Sequence, residues 1–452
     1  MKNSEREDKE YEGKKEFREC MKEAIKSSLS YLKRKFKTER EQIIPFLEYD
    51  FEIDINKRSW KTVPKSRYPL ASFVKKNLEE ILKLAEVAPL IDFMVKNEFH
   101  KMIEMEIKDV ERSKKFLGYN ILGGFLMRYV ETVGGFNYDE NTFNNLYREL
   151  EEYIYTKERE IIVVAPLLNF ELKGIEKIDL GDFIIRRISE DEFKMLLSQN
   201  ALGEIHSLYP YGGIFETIWC IELKVKCPSK RRSEDLTPRI EKVITALRLF
   251  KKGSIHYSAI LDYPKVWKNH WGVSSHGGGE IHGPRYELTD KDIESLKAFW
   301  NKFKSLNAQN FLDVAIRRFN FSYERRLPED KLIDYITAFE ALYLQEEKEL
   351  SYRLALRCAC FLGKDGEERK KIFEILKSAY DARSKIVHGK SIESKSFKKL
   401  LNKLNLNLPE LSMQVEEYLR ESIKTFLHFL QKSESHDEII KEIDEKIITG
   451  FD

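Results

Sequence analysis

In the last third of the chain, apolar residues recur at helical spacing in one block after another. KDIESLKAFWNKF, NFLDVAIRRFNFSYER, EDKLIDYITAFEALYLQ, LSYRLALRCACFLG, EERKKIFEILKSAYDARSKIV and LSMQVEEYLRESIKTFLHFLQ each set an apolar stripe against a polar face. Pro328, followed by Glu329 and Asp330, is a start signal for the third of these helices. Short connections between the blocks predict antiparallel neighbours in a bundle over residues 289–452. Upstream the period changes. IIVVAPL reads as a short buried strand, GDFIIRRI as a second after a Gly-Asp turn, and FETIWCIELKVKC alternates apolar and polar over a strand length. RIEKVITALRLFKK then resumes helical spacing.

Toward the N-terminus, Phe73 to Phe116 is helical with a break at Pro89, and Leu78, Leu82, Leu84 and Ile91 are candidate core. Residues 1–45 are dense in mixed charge, with Ile25, Leu29, Leu32 and Phe36 only toward the end, and predict a solvated tail or frayed helix. The run LGGFLMRYVETVGGF (Leu122 to Phe136) predicts a loop and a short helix. Its glycines lack phosphate-loop spacing and suit tight helix packing or a pocket lining. The expected fold class is α+β and mostly helical. A helical region spans 1–155, a mixed α/β middle domain 156–288 and an antiparallel helical bundle 289–452. At 452 residues the chain is too long for a single core.

The chemistry concentrates in one stretch, YDARSKIVHGK (Tyr380 to Lys390). Ile372, Ile375, Leu376, Ala379 and Ile386 form the apolar stripe of the preceding helix, and Gly389 is a natural left-handed stop. His388 then falls in the last turn, where the carbonyl end of the helix dipole favours a cation. Projection at 100° per residue puts Asp381, Ser384, Lys385 and His388 on one polar face. Arg383 projects about 140° from His388 and falls in the apolar stripe. A guanidinium there needs a partner or a second subunit. The two converge only through a distorted last turn or the meeting of two copies. The competing arrangement is Arg383 paired with an acid of its own bundle, Glu340 being a candidate.

The R-x4-H spacing, the Ser after the Arg and the Gly after the His resemble the signature of the HEPN superfamily. The order EDKLIDYITAFEALYLQ, ELSYRLALRCACFLG, IFEILKSAYDARSKIVHG is similar to its Apea-like branch. The resemblance covers the C-terminal third. It implies a small helical bundle that dimerises, and a metal-independent endoribonuclease whose paired Arg and His line a shared cleft. It also admits a non-catalytic RNA-binding, ligand-sensing or scaffold module. On the first reading Arg383, Ser384 and His388 are the catalytic set. His388 moves the 2′-hydroxyl or leaving-group proton, Arg383 stabilises the pentavalent phosphate, and Ser384 orients the phosphate or imidazole. Asp381 sets the His tautomer or satisfies an exposed turn. Arg357, Lys385 and Lys390 are the expected RNA contacts. Conditional prokaryotic defence is the implied setting, with a ligand or protein trigger at the N-terminal regions.

Composition adds limits. Lys and Arg total 78 against 76 acids, a net of +2, so attraction for a polyanion has to be local. Residues 381–404 supply it, with seven basic residues against two acids. Arg317, Arg318, Arg325 and Arg326 alternate with Phe319, Phe321 and Tyr323, a spacing that suits core more than base stacking. Arg353 is placed for an i,i+4 pair with Glu349. Five cysteines suit reduced thiols, and Cys358 and Cys360 are two apart on a helix and diverge. His270, His276 and His282 stand in a glycine-rich segment without the close ligand pairs of a zinc site, so no metal or other cofactor is expected. No apolar run reaches membrane-spanning length and the N-terminus has no apolar signal core, which predicts a cytoplasmic protein without membrane contact.

Overall fold

The computed structural model describes residues 2–39, 49–64, 70–102, 107–156, 158–198, 213–214, 217–228, 236–268, 272–275, 283–305, 310–345, 348–432 and 435–449. The chain is α+β and mostly helical, and no helix among these residues is long and apolar enough to cross a membrane. It divides into two compact units whose segments alternate along the sequence. The first takes 1–166, 181–237 and 258–276; the second takes 167–180, 238–257 and 277–452. The span expected to form a middle domain is therefore shared between the two units.

In the first unit, helices α1 (Lys2–Glu39), α2 (Leu70–Ile81), α3 (Ala88–Lys96), α4 (Phe99–Met102), α5 (Val110–Leu117), α6 (Gly124–Val133), α7 (Glu140–Tyr155) and α8 (Glu190–Ser198) accompany an antiparallel sheet. The charge-dense N-terminus is a helix, α1, rather than a tail. It buries Phe17, Met21, Ile25, Leu29 and Leu32 at successive turns, an apolar stripe against the mixed charge. Pro89 opens α3 as expected of proline in a first turn. The glycine-rich run is helical too. A π-helical turn, Gly118–Gly123, leads into α6, and a Cβ on Gly123 would lie 2.7 Å from Leu78, so these glycines let α2 approach closely. The sheet runs Gly272–Ser275, Ala259–Pro264, Glu158–Leu168, Trp219–Pro228, Phe183–Arg187, each neighbour antiparallel. Glu158–Leu168 is buried on both faces from Ile162 on, which explains its unbroken apolar text.

The second unit holds α9 (Thr237–Phe250), α10 (Ile293–Lys304), α11 (Asn310–Phe321), α12 (Pro328–Tyr343), α13 (Leu350–Leu362), α14 (Gly366–Val387), α15 (Lys395–Leu404), α16 (Leu408–Gln431) and α17 (His436–Thr449). Strands Phe170–Lys173 and Tyr286–Thr289 pair in parallel beside them. Proline opens α12 and α16, and Asn407 with Glu410 forms a capping box on α16. Helix α16 packs against α11, α12, α13 and α14, burying Val415, Leu419, Ile423 and Phe426. Buried residues on those helices include Phe319, Ile336, Phe339, Leu354 and Leu376. Each follows the predicted stripes. Helices α15 and α17 were not predicted. The basic aromatic run is core in part: Phe319 and Tyr323 are buried while Phe321 is exposed, and Arg318 and Arg325 both hold Asp334, at 3.1 and 2.8 Å.

Candidate nucleic-acid interface

Helix α14 carries the motif and its ends explain its placement. Asp365 caps the N-terminus, its side chain accepting from the Glu368 N–H. At the other end Lys390 N–H donates to the Lys385 carbonyl at 2.9 Å and Gly389 N–H to Ile386 at 2.9 Å. That pair of bonds is the Schellman closure, with His388 as C-cap and Gly389 left-handed at φ +73°. A Cβ on Gly389 would meet nothing within 4 Å, so the backbone angle alone asks for glycine there. The closure holds His388 outside the last turn with its ring exposed. The helix stays regular to this point, His388 N–H donating to Ser384 at 3.1 Å. A distorted last turn therefore does not bring Arg383 round to His388 within one chain.

Ile372, Ile375, Leu376, Ala379 and Ala382 are buried, and Arg383 flanks them half-buried. Its Nη2 stands 3.5 Å from Glu340 Oε2, the acid considered as an in-bundle partner. The contact is at the outer limit for a hydrogen bond, and Arg383 Nε is buried with no hydrogen-bond partner among the described residues. Tyr380, one turn back, completes the group. Its ring centroid is 6.0 Å from the guanidinium, and burial followed by Glu340 raises its phenol pKa. Tyr380 was not singled out in the sequence, although its i,i+3 spacing to Arg383 signals the contact.

The remaining site residues separate. Ser384 and Lys385 are half-buried; Asp381 and Lys390 are exposed. Lys385 and Lys390 have no side-chain partner among the described residues. Asp381 faces a groove of about 870 Å³ between α14 and α15. Lys370 and Lys377 line it from α14, Lys399 and Lys403 from α15. Glu374 and Asp381 are the acids on this lining. Of the seven basic residues in 381–404, Lys399 and Lys403 line this groove.

Arg357 corrects the sequence reading. Expected to contact RNA, it is 2% exposed. Its Nε and Nη2 grip Asp444 at 2.8 and 2.7 Å, and Nη1 donates to the Tyr343 carbonyl at 2.7 Å. It ties α13 to α17 and cannot reach a ligand. Arg353 approaches Glu349 at 3.9 Å, as its spacing predicted. Cys358 is buried and Cys360 only partly so, which agrees with their divergence.

Among the described residues no group of three or more His, Cys, Asp or Glu side chains is placed to hold a metal ion. His270, His276 and His282 lie outside the described residues. No protein-family model matches this chain, and no curated protein or solved structure is significantly similar to it.

Proposed function

We propose that the C-terminal bundle is an HEPN-type module and that the protein is a metal-independent endoribonuclease acting as a homodimer. One observation carries the reading: Arg383 keeps a buried, unpaired Nε and one long contact on the helix that ends at an exposed His388. A guanidinium retained only for stability is normally satisfied, and leaving one short costs free energy that a role in phosphate binding accounts for. Because about 140° of helix separates it from His388, a second copy of α14 supplies the missing alignment. Val387 beside His388 is 54% exposed, an apolar side chain suited to burial between copies. In this cleft His388 moves the proton, Arg383 neutralises the phosphorane and Ser384 orients the phosphate. RNA lies along the α14–α15 groove with Lys385 and Lys390 beside it. Residues of the first unit are then free to sense a trigger, which suits conditional RNA cleavage in prokaryotic defence.

The Glu340 contact favours a second reading, in which Arg383 is structural and the bundle is a non-catalytic RNA-binding or scaffold module. Labelled RNA incubated with the full chain and chelator separates the two. The expected products end in a 2′,3′-cyclic phosphate. His388→Ala and Arg383→Ala each lower the rate about 100-fold or more, with the double variant no worse than either alone. Light scattering reports twice the chain mass. Cleavage that requires a divalent ion, or that survives His388→Ala, overturns the catalytic assignment.

A further inference from the structure

Away from the motif, the second unit contains a recess of about 190 Å³ that the nuclease reading does not use. Three cationic side chains line it: Lys252, Arg326 and Lys331. The acid on the lining, Glu416, is already committed. Its Oε1 accepts from Tyr323 at 2.9 Å and Arg420 at 2.5 Å, and its Oε2 accepts from Tyr335 at 3.0 Å. Lys331 is half-buried and its ammonium has no hydrogen-bond partner among the described residues. Burial pushes the pKa of this lysine down, with Glu416 opposing. Pro328, the first residue of α12, also lines the recess, and the preceding Leu327 offers no side-chain cap. Glu329 and Asp330 in its first turn answer the positive end of that helix, so the charge left for a ligand is that of the lysines. The rest of the wall includes Tyr323, Tyr335, Met413 and Pro409.

We propose that this recess binds a small phosphomonoester, its dianion held by Lys331, Arg326 and Lys252 and its organic part packed on Tyr323, Tyr335 and Met413. Charge selects phosphate over carboxylate. With Glu416 committed, Lys252 and Lys331 line the recess without a side-chain hydrogen-bond partner among the described residues, two positive charges that one carboxylate does not balance, whereas a phosphomonoester carries close to two at neutral pH. Size selects a sugar-phosphate scale of ligand. The volume lies below the roughly 300 Å³ at which pockets for drug-sized molecules begin.

The test is calorimetric titration of the full chain at fixed ionic strength with ribose 5-phosphate, inorganic phosphate and ribose. Ribose 5-phosphate is expected to bind with a sub-millimolar Kd, inorganic phosphate more weakly, and ribose not at all. Lys331→Met, which keeps the apolar stem, weakens ribose 5-phosphate at least tenfold. Arg326→Gln, at an exposed position, weakens it severalfold and guards against a folding defect in the first variant. Lys399→Met, in the α14–α15 groove, binds like the parent chain. No measurable binding, or an affinity unchanged in both recess variants, overturns the site. So does a loss that follows Lys399→Met instead. Inorganic phosphate binding as tightly as the ester overturns the role given to the aromatic wall.

Discussion

Arg357 and Arg383 lie on helices that pack together, α13 and α14, and the bundle treats them in opposite ways. Arg357 is nearly inaccessible and closed by two bonds to Asp444 and one to the Tyr343 carbonyl. Arg383 keeps a quarter of its side-chain surface, has one contact at 3.5 Å and leaves Nε without a partner. A bidentate fork fixes a guanidinium in one geometry and uses up its hydrogen-bonding capacity. A single long contact leaves it able to exchange partners. The bundle therefore has the means to satisfy an arginine fully, and does so where the residue joins α13 to α17. Arg318 Nε is likewise buried without a hydrogen-bond partner among the described residues, but Arg318 also holds Asp334 at 3.1 Å, whereas Arg383 has only its 3.5 Å contact.

The comparison can be broken by stability measurements. Arg357→Ala, which strands Asp444 and the Tyr343 carbonyl, is expected to cost about 3 kcal/mol, the low end for a broken buried pair because Asp444 is half-exposed. Arg383→Ala is expected to cost under about 1 kcal/mol, in the range of a partly exposed ion pair. Urea denaturation followed by circular dichroism measures both. Equal losses would make Arg383 as structural as its neighbour.

A second buried network, in the first unit, sharpens the point through pH. Burial pushes the Glu192 carboxyl up, but Arg186 Nη1 and Nη2, the Tyr263 hydroxyl and the Ser189 N–H all donate to it and hold its pKa at about 2. A folded-state pKa depressed below the usual 4.5 contributes stability above pH 4.5. That contribution disappears as pH falls toward 2. Glu192→Gln should therefore flatten the acid limb of the stability curve over that window and lower stability at neutral pH by about 2 kcal/mol. A variant as acid-sensitive as the parent would show that other carboxylates set the limb. The smallest expected effect is at Gly389. Alanine there meets no atom but must adopt φ near +73°, costing about 1 kcal/mol. If cleavage falls by much more than stability does, the Schellman closure positions His388 as proposed.

Local signals in the sequence carried far. The stripe Ile372, Ile375, Leu376, Ala379 is buried on α14, Pro328 opens α12, and Gly389 takes the left-handed stop. What failed were pairings with no local trace. Asp444 lies 87 positions from Arg357, beyond any spacing rule, so an arginine one turn from Arg353 looked available for RNA. Helix α15 was obscured because it is short and four of its ten residues are lysines, with Phe397 its buried anchor. The α+β character of the middle region was legible, but not the sharing of its segments between two units, which depends on contacts far apart in sequence. At the motif, spacing identified the misfit between Arg383 and His388, while the orphaned Nε required atomic positions.

The alternation of segments also has a consequence for synthesis. Residues 167–180 and 238–257 emerge from the ribosome early but belong to the unit that α16 completes. Arg420 Nε donates to the carbonyl of Arg248 at 2.8 Å, closing a separation of 172 residues. All segments of the first unit have emerged by residue 276, while the unit that holds these two segments is incomplete until the C-terminal helices follow. A fragment starting at residue 289 would lack α9 and the strand Phe170–Lys173, leaving Arg420 without the Arg248 carbonyl and Thr289 without its register partner Lys173. The working boundary of the C-terminal unit is thus set by the order in which its pieces meet, and the early pieces travel with the late ones.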